Sequence, residues 1–148
     1  MNSKEKADLF SKVYDKLTWE YYSELVEGLN RINLSKLDLE LCEMSSLYAY
    51  FNGLLARCKK DCDFLELEYE SIGAKARNSA VLGSQKKLSV KRLEDVVFSD
   101  ELYINKYKEF IEAETKYNLL KGLLDSLRIR HECLVQLSAN QRAETKLV

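Results

Sequence analysis

Proline is absent from this chain of 148 residues, where average usage near 5% would place about seven. Glycine occurs five times, about half its usual share. Sheet proteins need many turns, and turns draw on Gly and Pro. A fold of many short strands is thereby excluded, and long uninterrupted helices become the expectation. No apolar run approaches the roughly 18 residues of a membrane span. The first residues, Met1 to Lys6, are polar and lack the apolar core of a secretion signal. The chain is expected in the cytoplasm of the cell that makes it, with no membrane partner. Neither G-x-G-x-x-G nor G-K-[ST] occurs, so no phosphate-cradling loop, and with it no nucleotide cofactor, is expected.

Present instead are 46% hydrophobic and 32% charged residues, the mixture of a packed protein rather than a disordered tail. The 23 basic residues nearly balance the 24 acidic ones, so any polyanion site must come from local charge. Cys42, Cys58, Cys62 and Cys133 in a chain without a signal read as reduced thiols.

The predicted fold class is all-α: one helical domain, a long helical hairpin with coiled-coil-like heptad packing plus an N-terminal helix. That first helix spans roughly residues 1–30, with Phe10, Val13, Tyr14, Leu17, Tyr21 and Leu25 on one stripe and Gly28 and Asn30 as a stop. Trp19 and Tyr22 fall off the stripe, as flanking core or as a contact surface. A long helix is expected over 36–79, capped by Ser35 with Asp38 in its first turn. Its seam runs Leu37, Leu41, Met44, Tyr48, Phe51, Leu55, Cys58, Cys62, Leu65, Tyr69, Ile72, Ala76 in steps of four and three. That spacing is the 3.5-residue repeat of a left-handed coiled coil. A helix of this length, roughly 65 Å, needs a long partner helix beside it.

Around Gly73, Ser79, Gly83, Ser84 and Ser89 the pattern thins. A basic connection with a short helix at Val90–Val97 is expected over 80–98. The last helix is expected over 99–137, opening at Ser99 with Asp100 and Glu101 in its first turn. Its stripe is Tyr103, Tyr107, Phe110, Tyr117, Leu120, Leu124, Leu127, His131 and Leu134, broadened by Ile104, Ile111 and Ile129. A broad stripe suits more than one neighbouring helix. Together with the seam, it predicts a homo-oligomer. A frayed tail is expected over 138–148.

The sharpest local feature is a charge step. Residues 61–70 carry Asp61, Asp63, Glu66, Glu68 and Glu70 and no base, whereas residues 71–92 carry Lys75, Arg77, Lys86, Lys87, Lys91 and Arg92 and no acid. A cationic segment can follow a phosphate backbone, and released counterions favour that binding. The ordinary alternative is a solvated connector. A metal site is not expected, because Cys58 and Cys62 fall on the seam, where cysteine serves as a small apolar residue. His131 and Cys133, two apart on a helix, point in different directions. Catalysis is not expected either: His131 sits on an apolar stripe, and the acid pairs Glu24/Glu27 and Glu40/Glu43 sit on polar faces.

From residue 37 to residue 143 the chain resembles the UvsY-type recombination mediator proteins of tailed phages. The resemblance is carried by Lys75-Ala76-Arg77 ending a long helix, by Ser99-Asp100-Glu101 before the next, and by Leu127-Arg128-Ile129-Arg130 in the last. The paired aromatics that often follow the first element in the family are replaced by Asn78, Ser79 and Ala80. The resemblance implies a helical protein, assembled as a ring-like homo-oligomer, that binds single-stranded DNA. It further implies that the protein helps a RecA-like recombinase displace the single-strand-binding protein. Lys75 and Arg77 match the DNA-contacting element. The alternatives are a coiled-coil assembly protein, such as a phage scaffold or tail-assembly factor, without a DNA role, and a helical adaptor acting through the first helix.

Overall fold

The computed structural model describes residues 19–85 and 87–145. Helix α1 is Trp19–Asn30, α2 Leu37–Gly83, α3 Val90–Phe98 and α4 Glu101–Thr145, with one 3-10 turn at Leu34–Lys36. No strand occurs among the described residues. The all-α hairpin with an N-terminal helix is the observed fold class. The stripe expected ahead of α1 (Phe10, Val13, Tyr14, Leu17), the side chains of Trp19 and Tyr21, and Lys86 lie outside the described residues.

The residues group into two compact units. One comprises the described parts of Met1–Ala56 and Asn118–Val148, the other Arg57–Tyr117. Each long helix contributes one stretch to each unit.

In the first unit the seam residues Leu37, Met44 and Phe51 are buried with Leu120, Leu124, Leu127 and Leu134 of α4. Each such side chain contributes about 1.5–3 kcal/mol when taken out of water. Leu123, fully buried, joins this core although it stands outside the predicted stripe. Tyr48 Oη donates to the Leu124 carbonyl at 3.4 Å. Tyr22 packs over Gly122: a Cβ there would stand 2.8 Å from its hydroxyl. Glycine is what lets α1 come so close, and Tyr22 is part of the packing.

Polar groups fix the ends of the helices in places the sequence places differently. Asn33, not Ser35, makes the cap before α2: its Oδ1 accepts from the Ser35 amide at 3.1 Å and the Ser35 hydroxyl at 2.7 Å. The 3-10 turn then leads straight into α2. Ser99 belongs to the end of α3, donating its hydroxyl to the Val96 carbonyl at 2.8 Å. Asp100 caps α4 instead, accepting from the amides of Leu102 at 2.9 Å and Tyr103 at 3.2 Å. Each carboxylate or amide oxygen satisfies helix donors that have no intrahelical partner.

In the second unit Cys58, Cys62 and Val97 are buried, and aromatic rings supply much of the remaining packing. Tyr69 meets Tyr103, Tyr107 and Phe110 at centroid distances of 5.8, 5.2 and 5.2 Å. The first two are edge-to-face and the third tilted; aromatic pairs in such arrangements add about 0.5–1.5 kcal/mol beyond their area. The thinning of the apolar pattern from Gly73 onward does not shorten the helix, which passes its expected end at residue 79. Gly73 is buried, and a Cβ there would lie 3.2 Å from the Tyr103 ring and 3.4 Å from Val97 Cγ1. Its missing side chain makes room for α3 and α4, and α2 continues to Gly83. Packing thus offsets the roughly 1 kcal/mol that glycine costs inside a helix.

The tail beyond Ser138 is also helical, to Thr145. Ser138 is buried, Arg142 donates to its hydroxyl at 2.8 Å, and Gln136 pairs with Asn140. These contacts hold turns that composition alone marks as frayed.

Candidate nucleic-acid interface

The cationic segment starts within about one helical turn after Gly73. Lys75 and Arg77 stand on the last turns of α2, Lys87 in the connection, and Lys91 and Arg92 in the first turn of α3; all five are exposed. Ser89 caps α3 by accepting from the Arg92 amide at 3.4 Å. The positive end of the helix dipole therefore adds to Lys91 and Arg92. Glu94 and Asp95 follow on α3, and the acid-free stretch stops there.

None of these five cations takes part in an ion pair among the described residues. Elsewhere cations are engaged: Lys59 holds Asp63 at 2.7 Å, and Lys106 holds Glu109 at 2.8 Å and Glu68 at 3.1 Å. Hydrogen bonds to Asp63 and to Glu109 raise the pKa of Lys59 and of Lys106, respectively, above the ordinary lysine value. The charge step of the sequence is thus also a difference in pairing. Bases beside the acidic stretch are partly neutralised, and bases after it face solvent.

The helix separates two residues that the sequence sets almost together. Lys75 and Arg77 are two apart on continuous α2, about 200° round the axis. They cannot meet one phosphate side by side. Arg77 shares its side of the helix with Glu66 and Glu70, whereas Lys75 shares its side with Phe64 and Lys60. Among the described residues the structure thus spreads the predicted site residues over α2, the connection and α3.

The arginine-rich element of α4 divides in the same way. Leu127 is core and Arg128 is exposed. Arg130 is engaged inside the first unit: its Nη2 donates to Glu40 Oε2 at 2.7 Å and its Nη1 to the Arg31 carbonyl at 3.2 Å. Glu40, expected on a solvated face, has a side chain only 16% exposed and also accepts from the Asn33 amide at 2.8 Å. Arg130 therefore ties the turn before α2 to α4.

His131 is exposed rather than packed. It lies along a shallow cavity of about 270 Å³ bounded by Met44, Ser45, Tyr48 and Arg128, and that opening leaves the ring in solvent. Cys58 and Cys62 are buried and Cys42 and Cys133 exposed, with no disulfide among the described residues. Burial pushes the Cys62 thiol up. No cluster of metal-ligating side chains occurs among the described residues, and no described helix is long and apolar enough to cross a membrane.

One surface escapes a reading that follows the seam. Phe64 and Leu67, at 57% and 65% exposure, stand on the outer side of α2 with Lys60 and Lys75. The signal was the spacing i, i+4, i+7 and i+15 from Lys60, a second face beside the seam.

Compared with known protein families, with curated protein sequences and with solved structures, the chain gives no match.

Proposed function

We propose that this protein is a single-stranded-DNA-binding recombination mediator. It assists the loading of a RecA-like phage recombinase onto a strand held by single-strand-binding protein, in the host cytoplasm and without catalysing a reaction itself. The observation that carries the reading is the exposed cationic segment, from Lys75 to Arg92, with no ion pair among its described cations. A purely structural hairpin does not need such a segment, and phosphates are its natural counterions. The resemblance to UvsY-type mediators around Lys75-Ala76-Arg77 points the same way.

Assembly into a homo-oligomer, a ring in that family, belongs to the proposal. Leu82 at 87%, Val90 at 73% and Leu102 at 68% exposure are apolar groups of the second unit that subunit contacts would cover. Gathering several cationic segments in one particle raises their effective concentration along a strand.

The test is fluorescence anisotropy with a labelled single-stranded oligonucleotide, comparing wild type with a Lys75→Ala/Arg77→Ala variant. The variant should bind all sequences more weakly and alike, since phosphate contacts carry no base information. Helix content and particle size should be unchanged. Equal affinities would favour a second reading, a coiled-coil assembly protein without DNA binding, for which the same exposed apolar residues also speak.

A further inference from the structure

Residues Lys60, Phe64, Leu67 and Lys75 lie on one side of α2 within the second unit. Relative to Phe64 they stand at −4, +3 and +11, all within an arc of about 80° at roughly 100° per residue. A groove of about 490 Å³ runs along this side, floored by Phe64, Leu67 and Ile72 and flanked by Lys75 and by Lys106 of α4. Glu68 is its one acid, and Lys106 Nζ lies 3.1 Å from that carboxylate. The acids Glu66 and Glu70, two and six residues after Phe64, point about 200° and 240° away, to the far side of the helix. Asp63 is held by Lys59 at 2.7 Å. Of the five acids of 61–70, Glu66 and Glu70 thus face away and Asp63 is paired with Lys59, whereas Glu68, paired with Lys106, and Asp61 stand within about 60° of Phe64; the unpaired cations beside the ring are Lys60 and Lys75.

Phe64 is 57% exposed as a residue, and the Lys60 ammonium sits 5.5 Å from its ring centroid. The ring's quadrupole attracts the ammonium and keeps Lys60 beside the exposed ring. Apolar floor, exposed ring and flanking ammonium groups are complementary to a polymer that alternates flat, weakly polar rings with anions. Single-stranded nucleic acid is that polymer. From Lys60 to Lys75 the helix rises about 22 Å, room for several nucleotides.

We infer that Phe64 is a base-stacking residue, and that a single strand lies along this side of α2 with a base on the Phe64 ring and its phosphates on Lys60 and Lys75. The inference rests on the DNA-binding reading above and deepens it. It names the part of the strand that is recognised, the unpaired base, and it extends the contact surface from the cationic connection into the acid-rich stretch. Lys75 joins the two surfaces; Arg77, on the other side of the helix, does not.

The experiment measures binding of the full chain to two labelled strands of equal length, oligo(dT) and a wholly abasic strand, by anisotropy. Wild type should favour oligo(dT). Phe64→Ala should weaken oligo(dT) binding about fivefold or more, as loss of one stacked base does, and leave abasic binding unchanged. Phe64→Trp should retain the preference. Lys60→Ala and Lys75→Ala should weaken both strands alike. Phe64 is exposed, so circular dichroism should show equal helix content in every variant. If Phe64→Ala binds oligo(dT) as wild type does, the inference is overturned while DNA binding stands. If it instead changes particle size with DNA affinity intact, the groove is occupied by protein and the inference is overturned. No binding of either strand by wild type would overturn the DNA reading itself and this inference with it.

Discussion

Glu40 and Arg130, 90 residues apart in the chain, form a charge-assisted hydrogen bond of 2.7 Å with side chains only 16% and 11% exposed. Glu40 also accepts the Asn33 amide, and Arg130 also donates to the Arg31 carbonyl. The pair therefore closes the turn between α1 and α2 onto α4. Removing one partner leaves the other charge half-buried without its counterpart, which is where such pairs become costly. Arg130→Ala should lower unfolding stability by about 2–3 kcal/mol, read from urea denaturation. Arg128→Ala, at an exposed neighbour, should change it by less than about 0.5 kcal/mol.

Two glycines of α2 should respond in opposite directions. Around Gly53 a Cβ would meet nothing within 4 Å, so Gly53→Ala should stabilise by about 0.5–1 kcal/mol through helix propensity alone. At Gly73 the added atoms would press on Tyr103 and Val97. Tyr103 is itself stacked against Tyr107 at 6.0 Å, so the ring has little freedom to yield. Gly73→Leu should destabilise by about 1–3 kcal/mol, the usual cost of overpacking. Thermal melts of the two variants beside wild type check both signs.

These elements mark how far the sequence was readable. Every position of the α2 seam from Leu37 to Ala76 is buried or half-buried, because a 3.5-residue repeat states its partner face directly. The end of α2 is expected at 79 and lies at Gly83, because the packing at Gly73 depends on Tyr103, thirty residues on, and glycine's local preference says nothing of what packs over it. The Glu40–Arg130 pair was hidden for the same reason: each residue alone has the profile of a solvated charge. At the candidate site the cations were legible by composition, but their directions were not. Only a continuous helix through Gly73 sets Lys75 and Arg77 on opposite sides, and sets Phe64 beside Lys75.

The thiols should separate by burial. Cys42 and Cys133 are exposed, Cys58 and Cys62 buried. In native protein a thiol reagent should modify the first pair quickly and the second only as fast as the second unit opens, because the reacting species is the exposed thiolate. In denaturant all should react at one rate. Mass spectrometry of peptides after a short labelling pulse assigns each. Rapid labelling of Cys62 in native protein would contradict its place in the seam.

Alkaline pH should weaken the fold. Burial raises the pKa of Cys62 and of Tyr69 above their ordinary values, so the folded state holds protons that the unfolded chain has released. Their stabilising share is present in full below the unfolded pKa and is lost as pH rises through the folded one. For the thiol that loss begins near about pH 8.5, and for the phenol near about pH 10. Lys59 and Lys106, whose charged forms are favoured by Asp63 and Glu109, act in the same direction at higher pH. Melting temperature should therefore fall from about pH 8 upward. The fall at its thiol end should shrink in Cys62→Ala measured against its own neutral-pH value.

Salt dependence of DNA binding should report how many cations one strand meets. Contact with all six bases of residues 71–92 would give a log–log slope of about −4, at roughly −0.7 per phosphate on a single strand. Lys75 and Arg77 diverge by about 200° on α2, so a strand that lies along one side of the helix meets one of them and not the other. The bases of residues 71–92 on one subunit should then contribute a slope shallower than about −4, the Lys60 contact adds about −0.7, and the slope steepens further where neighbouring subunits of an oligomer share the strand. Replacing Lys91 and Arg92 together by Ala should make the slope about 1.4 less steep, two contacts' worth, whereas replacing Lys75 alone should change it by about 0.7. Anisotropy titrations between about 50 and 200 mM salt resolve such differences. A slope near zero in wild type would mean that the cationic segment holds no phosphates. Slopes that change equally for Lys75→Ala and Arg77→Ala would mean that the strand wraps the end of α2 rather than running along one side of it.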